Sequence, residues 1–389
     1  MDRPTQAIEE EMREWRHAFH RKPELAFDLH STAKTVVELL KSFGLDEVHE
    51  DVGKSGVVGV LRRGPSQRAI GLRADMDALP IQEIGEPDYR SEVDDVFHGC
   101  GHDGHTAMLL GAAKYLSASG SFDGTVVFIF KPDEENGRGA KAMIDDGLLE
   151  PFPLSAVYGL HNKPGIPAGD FATRVGPMMS SEDLFEITIN GRGGHASAPE
   201  RLIDPVVIAA EIIQGLQTIV SRSVAATETA VVSVTEIITD GARNIVPSTV
   251  VVKGDCRTFS TTVQETVERR IRQLVDGISS AHGASATVDY SHEFIPLVNT
   301  SNEVAAGVSA ATAVVGIERV DSSCSLVTDS EDFAQYLQLV PGCFLDIGNG
   351  VDGAQGNTLH NSNYNFNDDV LTIGADFWVQ LVEEQLPTT

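Results

Sequence analysis

Residues 182–292 read as strand, helix, strand, strand, helix, strand, and this self-contained run constrains the fold more than any other feature of the chain. The strand-like stretches are Leu184–Asn190, Ala230–Ile238, Thr249–Phe259 and Ala286–Ser291, and the helical ones are Pro205–Val220 and Val263–His282. A β-α-β-β-α-β order of this length is the split βαβ type and is enough for an independent domain. The flanks follow another rhythm. Before the run come helices near Thr5–Arg21 and Ser31–Phe43, strands Gly56–Leu61 and Ala69–Ala74, a helix over 102–118, strand Thr125–Phe130, a helix over 138–146 and strand Ala156–Gly159. After it the pattern resumes with a helix over 302–315, a helix at Glu331–Gln338, strand Cys343–Ile347 and a closing helix from Asp368. Strands alternating with helices predict an α/β sheet covered on both faces. One domain is therefore expected inside another, with 1–180 and 293–389 forming the outer domain and 181–292 the insert. A length of 389 residues also suggests two domains.

Composition narrows the partners. The formal net charge of −28 argues against nucleic acid and anionic membrane, both of which need a basic face. No stretch approaches the roughly 20 apolar residues of a membrane span. The N-terminus lacks the shape of a signal peptide, and the four cysteines, at 100, 256, 324 and 343, form no paired framework. A cytoplasmic protein with reduced thiols is expected, with Cys256, Cys324 and Cys343 as small buried residues.

Several segments carry side chains suited to metal chemistry. Cys100-Gly-His-Asp-Gly-His105 puts a thiol and an imidazole two positions apart among glycines, which reads as half of a transition-metal site. Phe128–Glu135 ends an apolar strand with two adjacent carboxylates, Glu134 and Glu135, whose side chains diverge. One can bind metal while the other faces a water. Arg73–Pro80 ends another strand with Asp75 and Asp77, which can bind metal or orient ligands from behind. His161 and His360 each follow a strand, and His195 lies in a glycine-rich turn of the insert. His105 suits packing or hydrogen bonding better than ligation, and His98 is ambiguous. His17, His20, His30, His49, His282 and His292 lack the context of a ligand.

The ordered set Arg73–Pro80, Cys100–His105, Pro132–Glu135, His161–Pro164, Gly191–Pro199, Asn244–Pro247, Ser330–Phe333 and His360–Asp369 resembles the M20 metallopeptidase family. Within it the chain looks like the amidohydrolase branch of hippurate hydrolases, N-acyl-amino-acid amidohydrolases and plant auxin-conjugate hydrolases. The resemblance runs from the first helix to near the C-terminus. It implies a zinc-peptidase-like catalytic domain, a mixed sheet flanked by helices, with an inserted ferredoxin-like α+β lid or dimerisation domain. It also implies two divalent ions (Zn, Mn, Co or Ni) on Cys100, His102, Glu135, His161 and His360, with Glu134 as general base. His195 matches a lid histidine that reaches a neighbouring subunit's site, and Asn244 and Arg257 match positions that hold a substrate carboxylate. The expected substrate is a small N-acyl amino acid and the expected assembly a homodimer. Free peptides are the alternative substrate, and a binding protein on an inactive hydrolase fold is the alternative class. Lys131-Pro-Asp133 stands where Gln-Pro-Ala is common in the branch, which places two charges of opposite sign just before the carboxylate pair.

The acidic surface has its own consequence. Excess carboxylates with few lysines read first as a strongly hydrated, soluble surface; adaptation to a salty habitat, where screening weakens self-repulsion, is the sharper alternative. That alternative predicts a melting temperature that rises between dilute buffer and molar salt, as followed by circular dichroism. A flat or falling profile would overturn this reading.

Overall fold

The computed structural model describes residues 4–388. They divide into two compact units: Met1–Gly176 with Asn299–Ser325 and Asp332–Thr389, and Pro177–Val298 with Leu326–Glu331. The insert thus begins a few residues earlier and ends later than the sequence suggests. Its entry and exit are the paired short strands Gly176–Met179 and Leu297–Asn299, whose brevity hides them from pattern reading.

The outer unit is built on an eight-stranded mixed sheet. Its order is Glu47–Val52, Gly56–Arg63, Gly124–Lys131, Ala69–Asp75, Ala156–Pro164, Gly342–Gly350, Phe171–Ala172 and Val320–Asp321. The central strands are parallel: Arg73 lies beside Ile129 and Gly159, and His161 beside Asp346. Strands buried on both faces need continuous apolar runs rather than alternation. All seven residues of Ala69–Asp75 are buried, as are Val126 to Phe130 in the neighbouring strand. The His102–Ser119 helix is buried almost all round, because the Glu9–Arg21 and Leu371–Gln385 helices pack against it. Met12, Met108, Leu109, Ala112, Phe377 and Trp378 belong to the resulting core.

Two local expectations change. Glu47–Val52 is a strand that the sequence reading missed, since its polar middle, His49-Glu50-Asp51, is exposed at the sheet edge. The expected Glu331–Gln338 helix shrinks to Ala334–Leu337. Asp332 is buried and holds the cations of Arg73 and Lys131 instead of opening a helix.

The inserted unit is a four-stranded antiparallel sheet in the order Ala230–Thr239, Thr249–Thr258, Glu182–Asn190, Ser285–Phe294. In chain order this is 2-3-1-4, the ferredoxin-like arrangement that the split βαβ run implies. Phe185, Ile187 and Ile189 alternate inward. They share a core with Ile208, Ile212, Leu216 and Ile219 of the Pro205–Ser223 helix, and with Val263, Val267, Ile271 and Val275 of Thr261–Ala281. Each helix repeats its apolar residues every three or four positions, so one stripe faces the sheet.

Candidate metal centre

The parallel strands deliver the site at their carboxyl ends, where an open α/β sheet leaves a crevice. Ala69–Asp75 leads into Asp77, Gly124–Lys131 into Glu134 and Glu135, and Ala156–Pro164 carries His161. Cys100 and His102 stand at the start of the His102–Ser119 helix, and His360 comes from the loop after Gly342–Gly350.

All five expected ligands fall into one chain of contacts. Cys100 Sγ lies 3.5 Å from His161 Nε2. The ligand atoms of Cys100, His102 and Glu135 all lie within 4.8 Å of one another. Glu135 reaches His102 Nε2 at 3.8 Å with Oε1 and His360 Nε2 at 3.4 Å with Oε2. The centre thus has two ends, Cys100–His161 and Glu135–His360, with His102 between them.

Second partners fix the rings. His102 Nδ1 donates to the Asp77 carbonyl oxygen at 2.8 Å, and His161 Nδ1 donates to the Asn162 carbonyl oxygen at 2.7 Å. Both histidines therefore turn Nε2, the atom a ligating imidazole offers, into the centre. The Asp77 carboxylate accepts the Glu135 backbone N–H at 3.1 Å, so one residue orients both His102 and the carboxylate pair. Asp75 binds His105 Nδ1 at 2.6 Å and Arg73 Nη1 at 2.7 Å. His105 accepts the Asn162 N–H at 2.9 Å with its other nitrogen, so both of its nitrogens are committed and it is not placed as a ligand.

The donor set fits a cation. His102 Nε2 and Glu135 Oε1 are buried without a hydrogen-bond partner, although they face each other. Leaving such atoms unpaired costs about 1–3 kcal/mol each, and a shared positive ion removes that cost. The charges agree. Burial opposes a positive His102, yet Asp75, Asp77 and Glu135 outweigh it and push its pKa up to about 10. Burial, with Asp77 and Asp75 nearby, pushes Glu135 up to about 7 against the pull of His102. His161 is held well below its ordinary value by burial and by His105, so it stays neutral. A thiol, three imidazoles and a carboxylate suit Zn, Co, Ni or Mn better than Mg.

Glu134 is buried in the turn after its strand. The Lys131 charge before it is spent on Asp332, at 2.9 Å, and on the Pro132 carbonyl oxygen, at 3.0 Å. Asp133, immediately before Glu134, accepts from Asn136 Nδ2. His98 is buried, and that burial lowers its pKa to about 4; it joins none of the ligand groups among the described residues.

In the inserted unit His195 and Asn244 come together. Gly194–His195 pairs with Ile245–Val246, and the Asn244 carbonyl oxygen accepts the Ala196 N–H at 3.1 Å. His195 Nδ1 accepts the Ser197 N–H at 3.1 Å, which puts the ring proton on exposed Nε2. Arg257 is directed elsewhere. Its guanidinium binds Glu182 at 2.6 Å, Asp255 at 3.0 Å and Ser330 Oγ at 3.0 Å.

Sequence reading missed Asn162, Tyr364 and the role of Gly101. Asn162 Nδ2 donates to the Tyr364 hydroxyl, tying the His161 strand to the His360 loop. Gly101 has φ +85°, and a Cβ there would lie 2.4 Å from Asn162 Oδ1 and 2.6 Å from the Tyr364 oxygen. Gly101→Ala is expected to weaken divalent-metal binding by at least about tenfold, because a left-handed non-glycine costs roughly 1–2 kcal/mol before the clash is added. Calorimetric titration of the metal-stripped chain checks this, and wild-type affinity in the variant would overturn the account of the cradle.

Residues 71–384 match the model of peptidase family M20/M25/M40. The chain is 39% identical to the hippurate hydrolase of Campylobacter jejuni over 379 residues, covering 97% of each chain. It is 35% identical over 379 residues to thermostable carboxypeptidase 2 of Saccharolobus solfataricus, covering 94% of each. Among solved structures, the Bacillus subtilis YXEP protein, described as a dinuclear metal binding peptidase from the M20 family, superposes with TM-score 0.85 at 30% identity, covering 99% of this chain and 100% of that one. The five-residue donor set, the mixed sheet that presents it and these matches lead to one conclusion: the chain belongs to peptidase family M20/M25/M40.

Proposed function

We propose that this chain is a metal-dependent amidohydrolase that cleaves the amide bond between an acyl group and an amino acid. The observation that carries the reading is the convergence of Cys100, His102, Glu135, His161 and His360 on two unpartnered buried atoms, with Glu134 adjacent in the chain. Two divalent ions held there would lower the pKa of a water molecule and polarise the amide carbonyl. Glu134 takes the proton of that water as it attacks and returns it to the leaving nitrogen. His195 donates from Nε2 to the carbonyl oxygen as negative charge develops on it. Asn244 binds the carboxylate end of the amino-acid portion. Arg257 is left out of the substrate contacts, since Glu182 and Asp255 occupy its guanidinium.

The acting unit in this reading is a homodimer in which His195 serves the partner's site. The edge strand Ala230–Thr239 supports that assembly: its outer backbone groups are unpaired within the sheet, and Val231, Ile237 and Ile238 are exposed on it. Such an edge invites a second strand. Cytoplasmic residence is supported by four free cysteines, and no helix among the described residues is long and apolar enough to cross a membrane. Hydrolysis of free peptides is the second reading, favoured by the likeness to a carboxypeptidase. An inactive binding protein is disfavoured because all five donors and Glu134 are present.

Paired variants test this. Glu134→Gln and His195→Ala are each expected to lower kcat on hippurate or N-acetyl amino acids by at least about a hundredfold. Chains of the two kinds, co-expressed with different tags, are expected to recover about half of wild-type activity in the purified mixed dimer, because it holds one intact site of two. No recovery would overturn the action of His195 across chains, and turnover by Glu134→Gln near wild type would overturn its role as base. Higher kcat/KM on dipeptides than on N-acyl amino acids would favour the second reading.

A further inference from the structure

We propose that Arg16, on the Glu9–Arg21 helix, is a positioning residue for the metal centre that clamps the His360 loop to the start of the helix carrying His102. The inference rests on the metal-dependent reading above and adds a residue that touches no ligand and no substrate.

Arg16 is fully buried, and its guanidinium is divided between two segments. Nε lies 3.0 Å from Asp103 Oδ2, on the residue that follows His102. Nη2 donates to Asn365 Oδ1 at 2.8 Å, and Nη1 lies 3.4 Å from Asp368 Oδ1. These two residues stand five and eight positions beyond His360. The face of the guanidinium covers the Tyr89 ring at 4.3 Å, and the Tyr89 hydroxyl accepts from Asn365 Nδ2 at 2.8 Å. On the other side, Asp103 Oδ2 also binds His20 Nδ1 at 2.8 Å, and His20 Nε2 meets Glu83 at 3.2 Å. Asp103 stays ionised in this setting: burial opposes its charge, but Arg16 and His20 hold its pKa far below the usual carboxylate range.

The loop needs such an anchor. His360 has φ +63°, a left-handed conformation that a non-glycine residue adopts only when its surroundings impose it. Its side chain is about half exposed, so packing on the ring does not impose it. Residues 357–367 contain no helix or strand to hold the turn in place. The turn is held from outside: the His360 N–H donates to the Gly99 carbonyl oxygen at 2.9 Å, the Ile84 N–H to the Ser362 carbonyl oxygen at 2.9 Å, Asn162 Nδ2 to the Tyr364 hydroxyl, Asn349 Nδ2 to the Asn365 carbonyl oxygen at 3.0 Å and the Asn367 N–H to Asn349 Oδ1 at 2.9 Å, and Arg16 adds its contacts to the Asn365 and Asp368 side chains. Among these contacts only those of Arg16 bring a formal positive charge, and they join the loop to Asp103 beside His102. The clamp reaches the Glu135–His360 end of the centre through the loop. His161, at the other end, is fixed by the Asn162 carbonyl oxygen.

A planar fork is needed to span both segments, which a lysine ammonium does not reproduce. Arg16→Lys should therefore keep a positive charge for Asp103 and still fail as a clamp. The loop side is tested separately by the double variant Asn365→Ala/Asp368→Asn, which leaves Arg16 and Asp103 paired and covers the case in which Arg16→Lys does not fold.

The experiment is titration of the metal-stripped full chain with Co2+, followed by calorimetry and visible absorption, with thermal melting alongside. Wild type comes first: if it binds no Co2+, the metal-dependent reading fails and not the clamp. With two equivalents bound by wild type, both variants are expected to lose at least about tenfold in affinity for one equivalent and less than about twofold for the other. The absorption band of the weakened equivalent should change as a histidine nitrogen is lost. Wild-type affinity for both equivalents in both variants would overturn the clamp. Equal weakening of both equivalents, in step with a lowered melting temperature, would also overturn it, because that is what a merely structural role produces.

Discussion

Asp77 is the residue on which the centre depends most. Its carbonyl oxygen fixes the tautomer and direction of His102, and its carboxylate holds the backbone of Glu135. These two contacts bring together segments that are 33 positions apart in the chain, His102 and Glu135. They also create the unpaired atoms, His102 Nε2 and Glu135 Oε1, that make the centre short of positive charge. Burial raises the stake, because an unpartnered donor or acceptor away from water loses its hydration and gains nothing in return. Asp77 keeps its own charge in this setting: burial opposes it, but His102 and Lys131 lower its pKa.

The remaining architecture maintains that arrangement. Buried parallel strands give rigid ends from which short loops project, and the sheet keeps the strand ends of Asp75, Lys131 and His161 in register. Behind the candidate ligands runs a line of buried polar contacts: Lys131 and Arg73 on Asp332, Arg73 on Asp75, Asp75 on His105, and His105 on Asn162. Breaking one member of such a line leaves a buried charge uncompensated, a change that typically costs about 3–5 kcal/mol. The line therefore fixes ligand geometry at a cost that the apolar core on either face must offset.

Much of this was legible in the sequence, for identifiable reasons. Cys100, His102, Glu135 and His161 each stand at or just past the end of an apolar run, or at a glycine-rich helix start, and such positions leave a local trace, whereas His360 lies ten residues past its strand and is marked only by the resemblance. The ferredoxin-like insert was legible because its strands alternate and its helices repeat every three or four residues. Asn162, Tyr364 and Arg16 were not, because their partners lie 202 and 349 positions away and nothing local marks them. Glu47–Val52 escaped because an exposed edge strand carries no apolar pattern. Arg257, expected to meet the substrate carboxylate, pairs with two carboxylates on its own sheet, contacts that nothing local in the sequence marks.

The most direct test of the ligand set is anomalous diffraction from crystals of the chain grown with Mn2+. Two peaks are expected, both within coordination distance of side chains drawn from Cys100, His102, Glu135, His161 and His360, with Asp75 and His105 outside that distance. A single peak, a peak coordinated by Asp75 or His105, or no peak at these residues would contradict the account.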